Sequence, residues 1–276
     1  MILPYMISVV INTYNAERHL AECLEAVKDF DEIVVCDMES TDRTVEIAQR
    51  YGCKIVTYPK GDCVSAEPAR TFAIQSASSE WVLVVDSDEI ITPELRKYLY
   101  ERTQADDGVK GLYIARLNKI FGVYNRGWSN DYQLRLFIRE DTEWPPYVHT
   151  FPKVNGRVEK APRQYKMLHL ADETTVQLIA KMNQYTDSEV DKKADRGFGV
   201  VALFTRPLFR FIASFFFRGG FRNGKRGLLG AIQEVIYQLV LVSKIIEKKL
   251  GNKRDRVVRH EPNSCGRRRG ALTCPP

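Results

Sequence analysis

The sequence has few of the features that would tie it to a structural metal or to an oxidising compartment. Its six cysteines stand at irregular spacings without a Cys-x-x-Cys pair, so the spacing supports neither a zinc site nor a dithiol redox motif. Residues 1–5 lack the basic region and cleavage site of a secretory signal. The apolar run that follows, residues 7–11, is too short to span a bilayer. We therefore expect a reduced, cytosolic protein.

Long apolar runs are also scarce in the rest of the chain. The most apolar later stretch, residues 198–217, is interrupted by Arg206, Pro207 and Arg210. Such a composition is poor for a membrane-spanning helix and suits a helix that lies in the membrane interface. No internal repeat is found, and 276 residues are enough for one α/β domain with an appendage.

Charges of the two signs are unevenly distributed along the chain. Residues 1–199 hold 25 Lys and Arg against 31 Asp and Glu, a net charge of −6. Residues 200–247 hold 7 against 2 and residues 248–276 hold 9 against 2, so these segments contribute +5 and +7. An acidic body with a basic, apolar tail indicates an anionic membrane surface as a partner. No aromatic residues interleave with Arg267–Arg269, which argues against nucleic acid.

The first hundred residues alternate between short β-rich runs and helical patterns. The predicted strands are Ile7–Asn12, Glu32–Asp37, Lys54–Tyr58 and Trp81–Asp86. Three of these runs are continuously apolar, the pattern of strands that are covered on both faces. Thr92-Pro93-Glu94 predicts a helix start, with proline at the first helical position. The alternation predicts an α/β fold with a doubly wound, mainly parallel sheet.

After about residue 105 this alternation stops. Gly111–Leu117 and Gln133–Ile138 are predicted as strands, joined by a loop over residues 121–131, and residues 174–196 are predicted as a polar helix. Loops of this composition commonly carry binding functions.

Polar clusters follow three of the predicted strands. Residues 13–15 follow the first strand, Asp37 ends the second, and residues 86–89 end the fourth. Ligands of doubly wound sheets bind beyond the carboxyl ends of the strands. If the sheet is parallel, these clusters converge into one site.

Asp86 and Asp88 stand two residues apart at the end of an apolar strand. In an extended segment both carboxylates point to the same side. Mg²⁺ or Mn²⁺ relieves their repulsion and is commonly held by one or two carboxylates together with substrate phosphates. The alternative is an ordinary strand-to-turn boundary with solvated aspartates, but the neighbouring clusters favour a metal-bridged diphosphate.

Four segments together resemble family 2 glycosyltransferases: residues 7–15, 31–37, 40–44 and 84–89. The resemblance extends to a bacterial subgroup that adds sugars to the lipopolysaccharide core. The residues that carry it are 128–137, Val148-His149 and 220–228. It covers residues 6 to about 247 and implies the GT-A fold, with a UDP-sugar as donor and a divalent metal, Mg²⁺ or Mn²⁺, as cofactor.

The resemblance also implies roles for matching positions. Thr13, Tyr14 and Asn15 would contact the nucleotide, and Asp37 would accept a hydrogen bond from the base, uracil. Arg70 would face the nucleotide or diphosphate, a role that suits a guanidinium. Asp86 would reach the ribose or the metal, and Asp88 would be the main metal ligand. His169 would either complete the metal site or serve as a structural histidine in a strand.

The sequence offers three candidates for the catalytic base. An inverting transferase needs a group that deprotonates the acceptor hydroxyl. In the lipopolysaccharide subgroup the segment at Val148-His149 usually continues with Glu, whereas here the next residue is Thr150, which cannot act as that base. Asp131 becomes the first candidate and His149 the second, with Glu143 a distant third. If none of them serves, the protein is a divergent or impaired enzyme.

The C-terminal quarter contains an amphipathic helical pattern. Its apolar positions are Leu228, Ile232, Val235, Leu239, Val242 and Ile246. This face either packs against the catalytic domain or lies on a membrane, where phenylalanines beside arginines in residues 206–226 favour attachment. We thus expect a GT-A catalytic domain over 1–197, an amphipathic helical appendage over 198–247 and a basic, disordered tail over 248–276.

The leading hypothesis is an inverting, metal-assisted transfer of a hexose, with glucose favoured, from a UDP-sugar to a lipopolysaccharide core or related cell-envelope glycan. The acceptor would be lipid-linked, and the enzyme would sit peripherally on the inner face of the cytoplasmic membrane. One alternative is a membrane-associated, catalytically impaired protein that binds nucleotide sugars. A sugar-phosphate nucleotidyltransferase is disfavoured, since residues 13–17 contain no glycine-rich basic loop.

Overall fold

The computed structural model describes residues 6–61, 63, 66–105, 107–120, 122–124, 131–145, 151–170, 174–193 and 198–260. The chain divides into two compact units. Unit 1 comprises Met1–Thr174 with Phe215–Leu228, and unit 2 comprises Thr175–Ser214 with Leu229–Pro276. The domain limits expected from the sequence, 197 and 247, stay predictions.

Unit 1 begins with the alternation that the sequence predicts. Its first elements are β1 (Ile7–Thr13), α1 (Leu20–Val27), β2 (Glu32–Asp37), α2 (Thr44–Arg50), β3 (Lys54–Thr57), α3 (Glu67–Gln75), β4 (Trp81–Asp86), β5 (Glu89–Ile91) and α4 (Pro93–Thr103). The expected start of α4 is confirmed, because the Thr92 hydroxyl accepts a hydrogen bond from the Leu95 N–H at 3.3 Å and so satisfies one of the free donors of the first turn.

Seven further strands follow in unit 1. They are β6 (Val109–Ile120), β7 (Val123–Tyr124), β8 (Tyr132–Ile138), β9 (Thr142–Glu143), β10 (Lys153–Val154), β11 (Arg157–Lys160) and β12 (Lys166–His169). The main sheet has the order β3-β2-β1-β4-β8-β6-β12-β5. Strands β3, β2, β1 and β4 are mutually parallel, and β8 is antiparallel to both β4 and β6. The α/β, doubly wound prediction is confirmed.

The continuous apolar runs are explained by two hydrophobic layers, one on each face of the sheet. Val9 and Ile11 of β1 pack with the buried faces of α1 and α4. Val10 of the same strand packs with the small, buried residues of α3 on the other face. Because successive side chains of a strand point to opposite faces, a strand covered on both sides needs apolar residues on both of its faces.

The segment 220–228 contains a close approach between two glycines. Gly220–Asn223 form a 3-10 helix that leads into α7, the helix Gly224–His260. A Cβ atom on Gly227 would lie 1.8 Å from the carbonyl oxygen of Gly220. No other residue fits at position 227 without moving this backbone, which accounts for a glycine within the helix despite its poor helix propensity.

Unit 2 is helical in the part that the structure describes. It contains α5 (Thr175–Lys193), α6 (Ala202–Ile212) with a π-helical turn that begins at Ala213, and the larger part of α7. Val190 of α5 packs against Leu241 and Ile245 of α7. Lys244 donates hydrogen bonds to oxygens of Asn183, Thr186 and Asp187 on α5.

The expectation of a disordered tail over 248–276 is wrong for its first part, because α7 continues to His260. Residues 248–260 contain no proline and are rich in lysine and arginine, which propagate an existing helix at little cost. Residues 261–276 lie outside the described residues. Within the described chain, the helical stretch Gly220–Gly251 is the one long and apolar enough to cross a membrane, a test that the core helix of a soluble protein also passes.

We predict that Leu83→Ala lowers the free energy of unfolding by roughly 2–5 kcal/mol, the usual cost of truncating a buried leucine. Leu83 lies in β4 and is fully buried in the larger hydrophobic layer. Urea unfolding followed by tryptophan fluorescence measures the change. Lys97→Ala is the control, since the Lys97 side chain is 81% exposed, and a loss of similar size in both variants would contradict this packing.

Candidate active site

The polar clusters that follow β1, β2 and β4 lie side by side at one edge of the sheet. Thr13 is in register with Asp37 of β2, and Asn12 is in register with Asp86 of β4. Since neighbouring strands are about 4.8 Å apart, the backbones of Asp37 and Asp86 are separated by roughly 10 Å. The convergence expected from the sequence is confirmed.

Asp37 organises the connections at this edge. Its carboxylate accepts hydrogen bonds from the Thr13 hydroxyl at 3.0 Å, the Ser40 hydroxyl at 2.6 Å and the Ser40 N–H at 2.9 Å. The residue is buried, with 3% of its surface exposed. Asp37 therefore fixes the loop after β2 against the end of β1, and its role towards a base stays a prediction.

Tyr14 and Asn15 are the exposed members of the first cluster. Asn15 adopts a left-handed backbone conformation with φ 49°, which asparagine tolerates better than most residues. Its side-chain oxygen accepts the Thr41 N–H at 2.8 Å. The Tyr14 ring is 48% exposed, and the Lys60 ammonium lies 5.0 Å from its centroid. An exposed ring next to a cation offers a stacking surface for a planar anionic ligand.

A fully buried carboxylate, Glu89, closes the turn after β4. Its Oε2 accepts the Asp86 N–H at 3.0 Å. Its Oε1 accepts hydrogen bonds from Arg135 at 2.9 Å and from Arg116 at 3.3 Å. Burial raises the pKa of Glu89 more than the two arginines lower it. This arrangement holds the turn that carries Asp88.

Asp86 pairs with two arginines. Arg70 donates to its Oδ1 at 2.9 Å, and Arg135 donates to its Oδ2. Burial raises the pKa of Asp86, but the two guanidinium groups outweigh burial and hold the pKa well below its usual range. Arg70 also stacks on Trp144, with 4.5 Å from the guanidinium carbon to the ring centroid. If Arg70 binds a diphosphate, as predicted, it must therefore do so while it keeps its hydrogen bond to Asp86.

Asp88 and His169 form the pair that best fits a divalent cation. The Asp88 Oδ2 and His169 Nε2 atoms are 3.3 Å apart. Two ligand atoms that are each about 2.1 Å from an octahedral ion lie roughly 3 Å apart when adjacent, so the pair fits such an ion with little movement. The described residues contain no cluster of three or more His, Cys, Asp or Glu side chains around one such position.

Asp131 lies immediately before β8 and is held by three donors. Its Oδ2 accepts from Arg116 Nε at 2.8 Å and from the Asn118 amide at 3.0 Å, and its Oδ1 accepts from the Gln133 amide at 2.6 Å. Burial raises the pKa of Asp131, but Arg116 and these hydrogen bonds outweigh burial and lower it. Asp131 is therefore ionised at neutral pH and can accept a proton.

Comparison with known proteins identifies the family. The family model for glycosyl transferase family 2 matches residues 8–155, more than half of the chain. The chain belongs to glycosyl transferase family 2. The match contains every strand-end cluster described above and ends before β11 and β12, so it does not include His169.

One curated relative of this glycosyltransferase matches over nearly the whole chain. It is the lipopolysaccharide core biosynthesis glycosyltransferase LpsC of Rhizobium meliloti, which is 27% identical over 259 residues, with 90% of this chain and 94% of the relative covered. Staphylococcus aureus TarS 1–349 is a solved structure similar over 88% of this chain and 92% of its own, with 15% identity and a TM-score of 0.49. A second, glucosyl-3-phosphoglycerate synthase from Mycobacterium tuberculosis, is similar over 49% of this chain and 57% of its own, with 19% identity and a TM-score of 0.37.

Sequence reasoning missed part of this glycosyltransferase's site. No role was predicted for Glu89 or Arg135, although both lie within segments that resemble the family. Arg116 lies in a predicted strand and Asn118 directly after it, again without a predicted role. All four join the network that connects Asp86, Asp131 and His169. The available signal was an arginine within an apolar strand, since a buried cation requires a partner of opposite charge. Of the residues linked to catalysis from the sequence, His149 and Thr150 lie outside the described residues.

We predict that Arg135→Met lowers the free energy of unfolding by about 3–5 kcal/mol at pH 7, because it leaves the buried Glu89 with one cation fewer. Arg135 and Glu89 are 4% and 0% exposed. The pKa of Glu89 is already above its usual value and rises further in the variant. The folded variant then binds more protons than the unfolded chain, so its stability rises as the pH falls from 7 towards 5.

Urea unfolding at several pH values between 5 and 7 measures this effect. The difference in stability between wild type and Arg135→Met should narrow as the pH falls. Arg96→Met is the control, since Arg96 pairs with an Asp29 side chain that is 62% exposed. The loss of this surface ion pair should lower the free energy of unfolding only slightly at any pH. A difference for Arg135→Met that is constant over this pH range would contradict the proposed cost of the uncompensated Glu89 charge.

Proposed function

We propose that this family 2 enzyme transfers a hexose, with glucose favoured, from a UDP-sugar to a lipopolysaccharide core or related envelope glycan, with inversion at the anomeric carbon. The observation that carries the proposal is the Asp88–His169 pair. It lies at the same sheet edge as the predicted nucleotide contacts, residues 13–15 and Asp37. A cation site next to a nucleotide site is the arrangement that a diphosphate-linked donor requires.

The donor end of the proposed site has a surface for a nucleobase. The exposed Tyr14 ring lies beside Lys60, and Asp37 holds the adjoining loop. Stacking on Tyr14, with Thr13 and Asn15 alongside, would orient uridine so that its diphosphate extends towards Asp88. Arg70 is held by Asp86 and Trp144. The resemblance implies that its guanidinium faces the nucleotide or diphosphate.

The cation proposed for this site is Mn²⁺ or Mg²⁺, held by Asp88 and His169. The imidazole nitrogen favours Mn²⁺, since Mg²⁺ prefers oxygen ligands. When bound, the ion would offset the negative charge that develops on the departing diphosphate. Asp86 stays a candidate ligand, although both of its oxygens already accept hydrogen bonds from arginines.

Asp131 is the proposed base. Its carboxylate would take the proton from the acceptor hydroxyl, the hydroxyl oxygen would bond to the anomeric carbon, and the bond from that carbon to the diphosphate would break and release UDP. Asn118 hydrogen-bonds to both Asp131 and His169, which supports a position for Asp131 close to the proposed cation. The lowered pKa of Asp131 makes it a weak base, so His149 stays the second candidate.

The acceptor class rests on the relative of matching length. LpsC is named for lipopolysaccharide core biosynthesis and aligns over 94% of its length. The segments that resemble the lipopolysaccharide subgroup include residues 220–228, in which Gly220 and Gly227 meet closely. The named relative and this resemblance support an envelope glycan as acceptor.

We further propose that the enzyme acts at the inner surface of the cytoplasmic membrane, attached through α6. The outward face of α6 is apolar: Phe204 is 73%, Leu208 61% and Phe209 67% exposed. On its inward side Pro207 is buried and Arg206 donates to the buried Gln238 at 3.2 Å. An exposed apolar face of this kind suits a helix that meets lipid.

The charge of the same part of the sequence suits an anionic leaflet. Residues 206–226 contain six Lys or Arg and no Asp or Glu, and each such cation near an anionic surface adds about 1 kcal/mol of attraction. Peripheral attachment fits α7 better than a full span does. Lys244 of α7 is held by four oxygens of the polar helix α5, which is not a lipid environment.

A panel of UDP-sugars, incubated with the enzyme, Mn²⁺ and lipid extract from an envelope mutant that lacks the outer core, tests the proposed reaction. We expect one donor to give a lipid product that is heavier by one hexose, with release of UDP. Nuclear magnetic resonance of the product reads the anomeric configuration. UDP binding without any product or hydrolysis would instead support the impaired, nucleotide-sugar-binding alternative.

We predict that Asp131→Asn lowers kcat by roughly 10²–10⁴-fold, the usual contribution of a general base, while UDP affinity stays unchanged. Steady-state kinetics and calorimetry measure the two quantities. Asp141→Asn is the matched control, since Asp141 also pairs with a cation, Lys110 at 2.7 Å, in the turn between β8 and β9. Full activity in Asp131→Asn would move the assignment to His149, with His149→Ala as the next variant.

We predict that the triple change Phe204→Ser, Leu208→Ser and Phe209→Ser weakens binding to vesicles that contain phosphatidylglycerol by at least about tenfold, because it removes more than 1.4 kcal/mol of apolar burial. Co-sedimentation measures the bound fraction. The double change Val176→Ser and Ile179→Ser is the control, since these α5 residues are also exposed, at 78% and 51%. Equal losses in both proteins would show that the α6 face is not the attachment site.

A further inference from the structure

Asn118 occupies the position between the proposed base and the proposed cation pair. It lies in β6, in register with His169 of the parallel strand β12. Asp131 sits on the other side, where the Arg116 N–H of β6 donates to the Asp131 carbonyl oxygen at 2.7 Å. The sheet therefore places Asn118 directly beside His169, and places Asp131 diagonally across from Asn118, opposite Arg116 two residues earlier in β6.

The two ends of the Asn118 amide are used differently. Its Nδ2 group lies 3.0 Å from the Asp131 carboxylate, which can only accept at neutral pH, so the NH₂ group must face Asp131. Its Oδ1 atom therefore faces His169, at 2.8 Å from Nδ1. A carbonyl oxygen can only accept a hydrogen bond. The Nδ1 atom of His169 must then carry a proton.

This hydrogen bond determines which nitrogen of His169 faces Asp88. With Nδ1 protonated and turned towards Asn118, the Nε2 atom points at the Asp88 carboxylate from 3.3 Å. A metal-bound histidine needs this arrangement, with one nitrogen donating to a polar partner and the lone pair of the other directed at the ion. The His169 side chain is 20% exposed, so the imidazole has limited contact with solvent that could supply the same hydrogen bond.

We propose that Asn118 is a positioning residue that fixes the tautomer and ring orientation of His169 for cation binding and links that ligand to Asp131. The inference rests on the proposed function, because it takes Asp88 and His169 as the cation pair. An amide is the side chain that suits this place, since it donates to a carboxylate at one end and accepts from an imidazole at the other. A carboxylate at position 118 could accept from His169 but could not donate to Asp131.

The test is Mn²⁺ affinity, measured by electron paramagnetic resonance on the full chain with and without saturating UDP. Asn118→Leu removes both hydrogen bonds at similar volume, and we expect Mn²⁺ affinity to fall roughly 10–100-fold, the usual effect of losing a partner of a metal-bound histidine. Asn118→Asp retains an acceptor for His169, and we expect affinity at least equal to that of the wild type. Gln133→Met is the matched control, because Gln133 donates to Asp131 without touching His169.

Each outcome bears on the proposal. Wild-type affinity in Asn118→Leu, or an equal loss in Gln133→Met or Asn118→Asp, would overturn it, since a merely structural role does not distinguish these variants. Should Asn118→Leu not fold, Asn118→Ser, whose hydroxyl is too short to reach both partners, replaces it in the same comparison. Asp88→Ala tests the cation pair separately from the role of Asn118. If Asp88→Ala abolishes Mn²⁺ binding and Asn118→Leu does not, Asn118 alone is misassigned. If the wild type binds no Mn²⁺, the metal assignment fails with it.

Discussion

The buried carboxylate of Glu89 is the interaction on which the rest of the site depends. It has no exposed surface and is bound by Arg135, by Arg116 and by the Asp86 N–H. A charge in this position would be prohibitive without such partners. Because one carboxylate joins β5, β6, β8 and the turn after β4, these elements cannot shift independently. The proposed cation ligand Asp88 is adjacent to it in sequence and inherits that rigidity.

Alternating charges extend from this carboxylate in two directions. On one side, Arg135 leads to Asp86 and then to Arg70, which the resemblance places towards the donor. On the other, Arg116 leads to Asp131, on the side proposed for the acceptor. Opposite charges lower one another's cost of burial, so the loss of one member leaves its partner with an uncompensated charge. The two halves of the proposed reaction thus share one set of ion pairs.

The helical unit follows a different physical rule. In the sheet, apolar residues face inward and polar residues gather at one edge, whereas α6 directs phenylalanines outward and holds Arg206 against Gln238. The first pattern excludes water from a core. The pattern of α6 leaves apolar surface exposed to water, which is unfavourable in free energy. Burial of that surface in a lipid interface removes the unfavourable contact.

Local periodicity and short motifs were enough to predict β1 to β4, most of β6 and β8, the gathering of Thr13, Asp37 and Asp86 at one edge, and the family. The sequence did not determine the partners of Glu89 and Asp131, since ion pairs between residues 15 to 46 positions apart depend on sheet order and register. The sequence left open whether His169 completes a metal site or serves as a structural histidine in a strand. The order of the sheet, with β12 between β5 and β6, brings His169 to 3.3 Å from Asp88, and its role towards a cation stays a prediction. The helical extension to His260 likewise depended on an already formed helix, which composition alone does not reveal.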